Sequence, residues 1–256
     1  MRATRTLLAL ALAAAALAAP ILAETTRTLR IEYAPTGPFA VENLAGAMRV
    51  KAGASDKVVV VATVHADDDT TAALLKLEQV SGDKGVPTLR MIYPLDKYTT
   101  FRYPPESAEN LHWLERLFGY DNSSNTEYAG RRVTVRGGSG VLLYADVEIE
   151  LPRRAVEGTF RNLIGPLNGE GVEGKLLFDT ASGDVTLDNL KGEITADTGS
   201  GDVKADTLSG SYKCDTGSGD CILDGFTGEK VACDVGSGDI QVHSGSARVM
   251  DMNTGS

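Results

Sequence analysis

Along the last hundred residues, apolar and mostly polar positions alternate, and the alternation itself recurs. Apolar side chains stand at Leu176, Ile194, Tyr212, Val231 and Met250, and two residues on at Phe178, Ala196, Cys214, Cys233 and Met252. Thr195, Lys213 and Asp251 lie between these columns, and Asp179, Asp197, Asp215, Asp234 and Asn253 follow them. A period of two marks a strand with one buried face. A second short strand follows in each unit: Val185, Val203, Cys221 and Ile240 are apolar, as are Leu187, Ala205, Leu223 and Val242. The tripeptide Ser-Gly-Asp joins the two strands, at Ser182-Gly183-Asp184, Ser200-Gly201-Asp202, Ser218-Gly219-Asp220 and Ser237-Gly238-Asp239, in steps of 18, 18 and 19 residues. Such a period predicts a solenoid, in which each repeat is one coil that cannot bury its apolar face alone. The expected fold class is therefore all-β: a parallel β-solenoid of the β-helix kind, with strands about 4.8 Å apart per rung.

The other turn of each coil has its own pattern. Leu190-Lys191-Gly192, Leu208-Ser209-Gly210 and Phe226-Thr227-Gly228 each place an apolar residue two before a glycine. Val172-Glu173-Gly174 fits the same slot and Phe160 falls in the Phe178 column, so regular coils are expected over 156–256. In the last coil His243-Ser244-Gly245 puts a histidine where the apolar residue should stand. Nearer the start, Val41 to Gly46 resembles Leu187 to Gly192, Ala54-Ser55-Asp56 echoes the motif turn, and Lys57 to Val64 is strand-like. Residues 24–155 thus form an N-terminal β-rich part on related coils, with an insertion at about 67–131. In the insertion the pattern predicts a helix over Thr71–Leu77, strands near Thr88–Tyr93 and Thr99–Tyr103, and a Ser-capped helix over Ser107–Phe118. Asn122–Asn125 is expected as a polar loop, and Val141–Leu151 as a long strand leading back to the coils.

Composition changes the picture in three places. The net charge is −10, and from Lys175 to Ser256 there are 14 acidic against 6 basic side chains. Such a surface argues against nucleic acid or anionic lipid as a partner, because both need Lys and Arg to neutralise phosphate. Arg2 and Arg5 precede the apolar run Leu7–Leu22, and Ala23 offers a small residue before Glu24. This layout predicts a signal peptide over 1–23, export to the periplasm or cell surface, and no transmembrane span in the mature chain. The sequence stops at Thr254-Gly255-Ser256, short of the Gly-Asp that earlier coils supply. A truncated end, or an open rung meeting another chain end to end, is expected there.

The signal layout, the Val41–Gly46 phrase, the segment Gly140-Val141-Leu142-Leu143-Tyr144-Ala145-Asp146-Val147 and the iterated Thr-Gly-Ser-Gly-Asp together resemble the bacterial family catalogued as putative adhesins. The resemblance covers nearly all of Leu29–Ser256. It implies an exported, solenoid-like β protein, and it carries no catalytic or ligand residues with it.

The repeated aspartates are the foremost candidates for chemistry. Asp184, Asp202, Asp220 and Asp239 form one column, Asp179, Asp197, Asp215 and Asp234 a second, and Asp188, Asp206 and Asp224 a third. Carboxylates about 4.8 Å apart repel by roughly 0.9 kcal/mol per pair even in water, so something must offset the repulsion. Turn chemistry can do so: Asp accepts backbone hydrogen bonds and Gly supplies positive φ, which assigns Ser182, Gly183, Ser200, Gly201, Ser218, Gly219, Ser237 and Gly238 to structural turns. Calcium is the alternative at Asp184, Asp202, Asp220 and Asp239, although the calcium-binding solenoid repeat carries Gly-x-Gly-x-Asp in both half-coils. A glycan-cleaving site needs two carboxylates in unlike surroundings, whereas a column gives like surroundings, so no enzyme is expected. His65, His112 and His243 fit no ligand spacing. Cys214, Cys221 and Cys233 are too few and too odd for a disulfide framework and serve as small core residues; Cys214 and Cys233, on adjacent rungs, stay within disulfide reach in principle. On the expected helix, Leu111, Leu114, Leu117 and Phe118 share a face, as a lid over a solenoid edge or as an anchor for a partner. The expected role is a non-enzymatic envelope scaffold with no cofactor, binding an envelope glycan or protein through outward residues such as Thr195, Lys213, Lys204 and Gln241.

Overall fold

A computed structural model describes residues 24–103 and 123–255. The expected signal peptide, His112 and the Ser107–Phe118 helix lie outside the described residues. The chain begins with β1 (Thr25–Tyr33), β2 (Phe39–Ala45), β3 (Met48–Ala52) and β4 (Val58–Ala66), followed by a single helical turn, α1 (Asp69–Ala72). Next come β5 (Lys76–Ser81), β6 (Pro87–Ile92) and β7 (Thr100–Arg102), then β8 (Ser123–Tyr128), β9 (Arg131–Arg136) and β10 (Val141–Leu151). The regular coils follow as pairs of a long and a short strand. They are β11 (Val156–Ile164) with β12 (Leu167–Glu170), β13 (Glu173–Thr180) with β14 (Val185–Asp188), and β15 (Lys191–Ser200) with β16 (Val203–Asp206). β17 (Ser209–Ser218) pairs off with β18 (Cys221–Asp224), β19 (Phe226–Ser237) with β20 (Ile240–Val242), and β21 (Gly245–Thr254) opens a further rung.

These strands make an all-β parallel solenoid of about 5 turns. The long strands form one sheet in the order β21-β19-β17-β15-β13-β11-β2-β6-β5, and the short strands form the other, β20-β18-β16-β14-β12-β3-β10 and onward to β7, β9 and β8. The parallel register pairs Leu176 with Ile194, Ile194 with Tyr212, Tyr212 with Val231, and Val231 with Met250, as the alternation requires. Facing them, Leu167, Val185, Val203 and Cys221 stack on the short-strand sheet. All of these but Met250 are buried. Each large aliphatic or aromatic side chain enclosed in this way contributes about 1.5–3 kcal/mol. Where the column swells, the opposite wall thins: a Cβ on Gly169 would stand 2.7 Å from the Phe178 ring.

The Thr-Gly-Ser-Gly-Asp motif is the joint between rungs. The buried Thr198 hydroxyl donates to Gly183 O at 3.1 Å, and Thr216 repeats this on Gly201 O at 3.1 Å. The serine acts through its backbone, Ser200 O accepting from Gly183 N and Ser218 O from Gly201 N, both at 2.9 Å. The following glycine is forced by contact as well as by φ. At Gly201, φ is +147° and a Cβ would lie 2.2 Å from Gly183 O, so a side chain there would push the coils apart.

Several sequence expectations are corrected. The helix over Thr71–Leu77 is one turn, Asp69–Ala72, capped by Asp68, whose carboxylate accepts from Thr71 N at 2.7 Å. Lys76 onward is strand instead, because β5 pairs antiparallel with β6. The polar loop over Asn122–Asn125 is strand from Ser123, since β8 pairs with β9 across a turn at Ala129 (φ +50°) and Gly130 (φ +75°). Two successive positive φ values suit the twist of a tight hairpin. Val41–Gly46 does not occupy the Leu187–Gly192 position. β2 lies beside β11, and Gly46 O touches the Gly165 site as Gly165 O touches Gly183. Gly46 therefore heads the Gly183–Gly201–Gly219 column, not the Gly192 column. At the last coil Gly245, not His243, stands opposite Phe226, so a glycine takes the apolar slot.

The stretch 67–131 extends both sheets: β6 joins β2 in parallel, and β7 joins β10 and β9. Antiparallel β4 lies between β10 and β1. Beneath it Asn43 Nδ2 donates to Ala45 O, Ala145 O and Asn162 Oδ1 at 3.0, 2.8 and 3.1 Å, and Asn162 Nδ2 donates to Gly46 O at 2.7 Å. The Tyr93 hydroxyl donates to Asn43 Oδ1 at 3.2 Å.

Candidate functional site

The first aspartate column is wired along the solenoid. Asp202 N donates to Asp184 Oδ1 at 2.9 Å, Asp220 N to Asp202 Oδ1 at 3.0 Å, and Asp239 N to Asp220 Oδ1 at 2.9 Å. Each carboxylate thus binds the amide of the next coil's equivalent residue. A charge-assisted bond of this kind offsets the repulsion between neighbours. The third column is tied to hydroxyls, Thr207 Oγ1 donating to Asp206 at 2.7 Å and Ser244 Oγ to Asp224.

The second column lies on the outer face of the long-strand sheet, in register from Asp179 through Asp197 and Asp215 to Asp234. Its ends are compensated: Arg161 Nε reaches Asp179 Oδ2 at 2.7 Å, and Asn253 Nδ2 reaches Asp234 Oδ1 at 3.1 Å. Lys213 reaches Asp215 at 3.3 Å. In the middle, burial together with Asp179 and Asp215 pushes the Asp197 carboxyl above its usual range. Beside it runs the column Thr195, Lys213, Ala232, Asp251, and between the two lies a groove of about 410 Å³ lined by Lys213, Asp234, Asp251 and Asn253. Lys204 and Gln241 belong to the other sheet, where Lys204 and Ile222, then Gln241, share a column. The outward residues expected to act together are therefore divided between two faces. A second groove, of about 480 Å³, lies near the first coils between Thr36, Arg154, Glu157, Glu173, Lys175 and Glu193.

Two clusters are not apparent from spacing. His65 stacks on Tyr144 with ring centroids 4.5 Å apart, and its Nδ1 lies 2.5 Å from Glu24 Oε1. Its Nε2 is 3.1 Å from Asp146 Oδ2, at ion-pair distance but off the line of a hydrogen bond. Asp146 and Glu24 raise the His65 pKa against the opposing effect of burial. Burial pushes Asp146 up, but His65 and the Ala47 amide outweigh it and hold this carboxyl low. His65 is thus ion-paired on both sides, with one hydrogen bond, at Nδ1. Asp146 meets the histidine because β4 pairs with β10 at His65 and Tyr144, and Glu24 because β1 pairs with β4 at Thr25 and Ala66.

The second cluster is inside the solenoid. Cys214 on β17, Cys221 on β18 and Cys233 on β19 are free and buried, with all three sulfurs within 4.8 Å of one another and Cys221 Sγ 3.4 Å from Cys233 Sγ. Among the described residues they alone form a group of three His, Cys, Asp or Glu side chains close enough to hold a metal ion. The Tyr212 hydroxyl is buried with no sound hydrogen bond, and beyond burial the groups acting on it are these thiols. Hydrogen bonds from Cys214 and Cys221 lower the Cys233 pKa. The signal was present in the columns: Cys221 and Cys233 occupy inward positions on facing strands, which must meet across one coil.

Residues 143–254 match the sequence profile of the Toastrack DUF4097 family, in keeping with the resemblance carried by the Thr-Gly-Ser-Gly-Asp repeats. Three solved structures are similar in outline. A putative cell adhesion protein from Clostridium sporogenes ATCC 15579 shares 9% identity at TM-score 0.33, with 90% of this chain and 100% of that one covered. A putative lipid binding protein from Parabacteroides distasonis ATCC 8503 shares 12% at 0.30, covering 90% and 96%. A putative adhesin from Parabacteroides merdae ATCC 43184 shares 8% at 0.23, covering 90% and 95%. No curated protein matches.

Proposed function

We propose that the chain is an exported, non-enzymatic envelope or surface scaffold that binds a repetitive glycan or a protein partner along its long-strand face. One observation carries this reading: the outward columns Thr195–Lys213–Ala232–Asp251 and Asp179–Asp197–Asp215–Asp234 run in register along one sheet, and at their last rungs Lys213, Ala232, Asp234, Asp251 and Asn253 line a groove. Side chains recur there at each rung, so two rungs span about 9.6 Å, a step suited to a polymer with a short repeating unit. Stacked, fully hydrogen-bonded strands hold these groups in place before any partner arrives, which lowers the ordering cost of binding.

The test is a glycan array and an envelope pull-down with the chain from Glu24 onward, beside a Lys213→Glu/Asp251→Lys double variant. Binding that weakens at least tenfold in the variant supports the reading; no envelope component above background refutes it. Polysaccharide cleavage that disappears in Asp197→Asn would establish an enzyme instead. The calcium-stabilised alternative, with Asp184, Asp202, Asp220 and Asp239 as ligands, requires a higher melting midpoint in calcium than in chelator. Because each of the first three carboxylates already accepts a backbone amide, an unchanged midpoint is expected. End-to-end assembly draws on Val249, Met250 and Met252, exposed on β21 at 42%, 51% and 37%. Size-exclusion across a concentration series would reveal it as a mass that rises with concentration.

A further inference from the structure

The three thiols are buried, although Cys214 and Cys233 also belong to the strands that line the outer groove, and the composition of the cluster is specific. Interior columns elsewhere carry mainly Leu, Ile, Val, Phe and Ala, with Thr at the turns; among the described residues only here do three cysteine sulfurs converge, contributed by both walls of one coil and by the rung above. We infer that Cys214, Cys221 and Cys233 form a buried three-thiolate site for one thiophilic d10 metal ion, Cu(I) or Zn(II). Thiolates select these ions over hard cations. Sulfurs bound at about 2.3 Å to a common ion stand roughly 3.8 Å apart, within the span of this triangle, so small side-chain rotations suffice.

The surroundings favour Cu(I). Three sulfurs complete its coordination, whereas zinc takes four ligands, and the fourth would have to be Tyr212. That phenol is buried beside the thiols and lacks a hydrogen-bond partner. With Cu(I) bound, its O–H would donate to a thiolate and spread the negative charge. With Zn(II), its oxygen could complete a tetrahedron. Met252 follows Cys214 and Cys233 in the same column, a further soft sulfur one rung on. On binding, the thiols lose their protons to solvent, so affinity rises with pH.

The reduced full-length chain, kept free of oxygen, is titrated with Cu(I) against bathocuproine disulfonate and separately with Zn(II) against a chromogenic chelator. One ion per chain, a raised unfolding midpoint and protection of all three thiols from alkylation are expected. Cys214→Ala and Cys233→Ala should fold, since Ala196 occupies the same column one rung earlier; Cys221→Val copies Val203 in its column. Each should lower affinity by more than the roughly 10–100-fold typical of losing an outer-shell partner, with far-ultraviolet circular dichroism of the metal-free form unchanged. Tyr212→Phe keeps every sulfur: Cu(I) affinity should then change only a few-fold, while a zinc site using the phenol falls as in the cysteine variants. The inference is overturned if neither ion binds at one per chain, or if the wild-type thiols alkylate equally with and without metal. It is also overturned if affinity survives all three cysteine substitutions, or if thiol counting finds Cys221 and Cys233 joined as a disulfide in a chain that takes up no ion.

Discussion

The regular coils from Val156 onward and the N-terminal part share two continuous sheets yet are held by different means. In the coils a small set of bonds recurs from rung to rung: glycine amide to serine carbonyl, aspartate amide to the preceding carboxylate and, at Thr198 and Thr216, hydroxyl to glycine carbonyl. Around β2, β6 and β10 the bonds occur once, centred on Asn43, Asn162, Tyr93 and Tyr128, with Tyr128 Oη donating to Met91 O at 2.6 Å. A repeating unit can lengthen a stack, but it cannot finish one, because every added coil exposes the same unsatisfied face. Closing the N-terminal end takes antiparallel strands and a buried polar network that belong to no repeat. On β21 the residues of the inward columns, Met250 and Met252, are exposed.

The largest effect should come from breaking a rung joint. Gly201→Ala places a methyl group 2.2 Å from Gly183 O on a backbone at φ +147°, and is expected to cost about 4–5 kcal/mol or prevent folding. Gly138→Ala, with nothing within 4 Å of its Cβ, should stay within about 0.5 kcal/mol. Urea melts of the two variants decide this; equal midpoints would contradict the account of the glycine columns.

A smaller loss is expected from Asn43→Ala. It removes donors from Ala45 O, Ala145 O and Asn162 Oδ1 in a buried site, a cost of about 2–4 kcal/mol. Asp202→Ala, on the exposed ladder, should cost only about 1 kcal/mol. If the ladder variant proves the worse of the two, repeated bonds are individually stronger than unique ones and the contrast reverses.

The smallest effect concerns pH. Because the folded His65 pKa is raised, its contribution is fully present below the unfolded value of about 6.5 and fades as pH climbs through the higher folded value. The ring is partly exposed, so the contribution is no more than about 1 kcal/mol. Melting midpoints measured from pH 5 to pH 9 should fall more for the native chain than for His65→Gln; parallel curves would remove His65 from the N-terminal cap.

The coils are legible in sequence because each rung repeats its neighbour's environment, so one alignment places Ile194, Tyr212 and Val231 together. The N-terminal half is less so. Val41–Gly46 shares Asn, Leu and Gly with Leu187–Gly192, yet Asn43 pairs with Asn162 and Gly46 stacks on Gly165. A six-residue resemblance does not specify which turn a phrase occupies. The thiol cluster stood half in view: Cys214 and Cys233 share a column, whereas Cys221 joins them only when the opposite wall folds across.

In the regular coils, local alternation and a fixed period were enough to determine the strands, their parallel pairing and which side chains face inward. These depend on neighbours two residues away and one coil away, and both distances can be counted along the chain. Closure of the first coil by β4 and β10, the meeting of His65 with Glu24 and Asp146, and the convergence of three sulfurs were decided by tertiary structure. They join residues whose separations follow no period, and only packing the two sheets against each other brings them within reach.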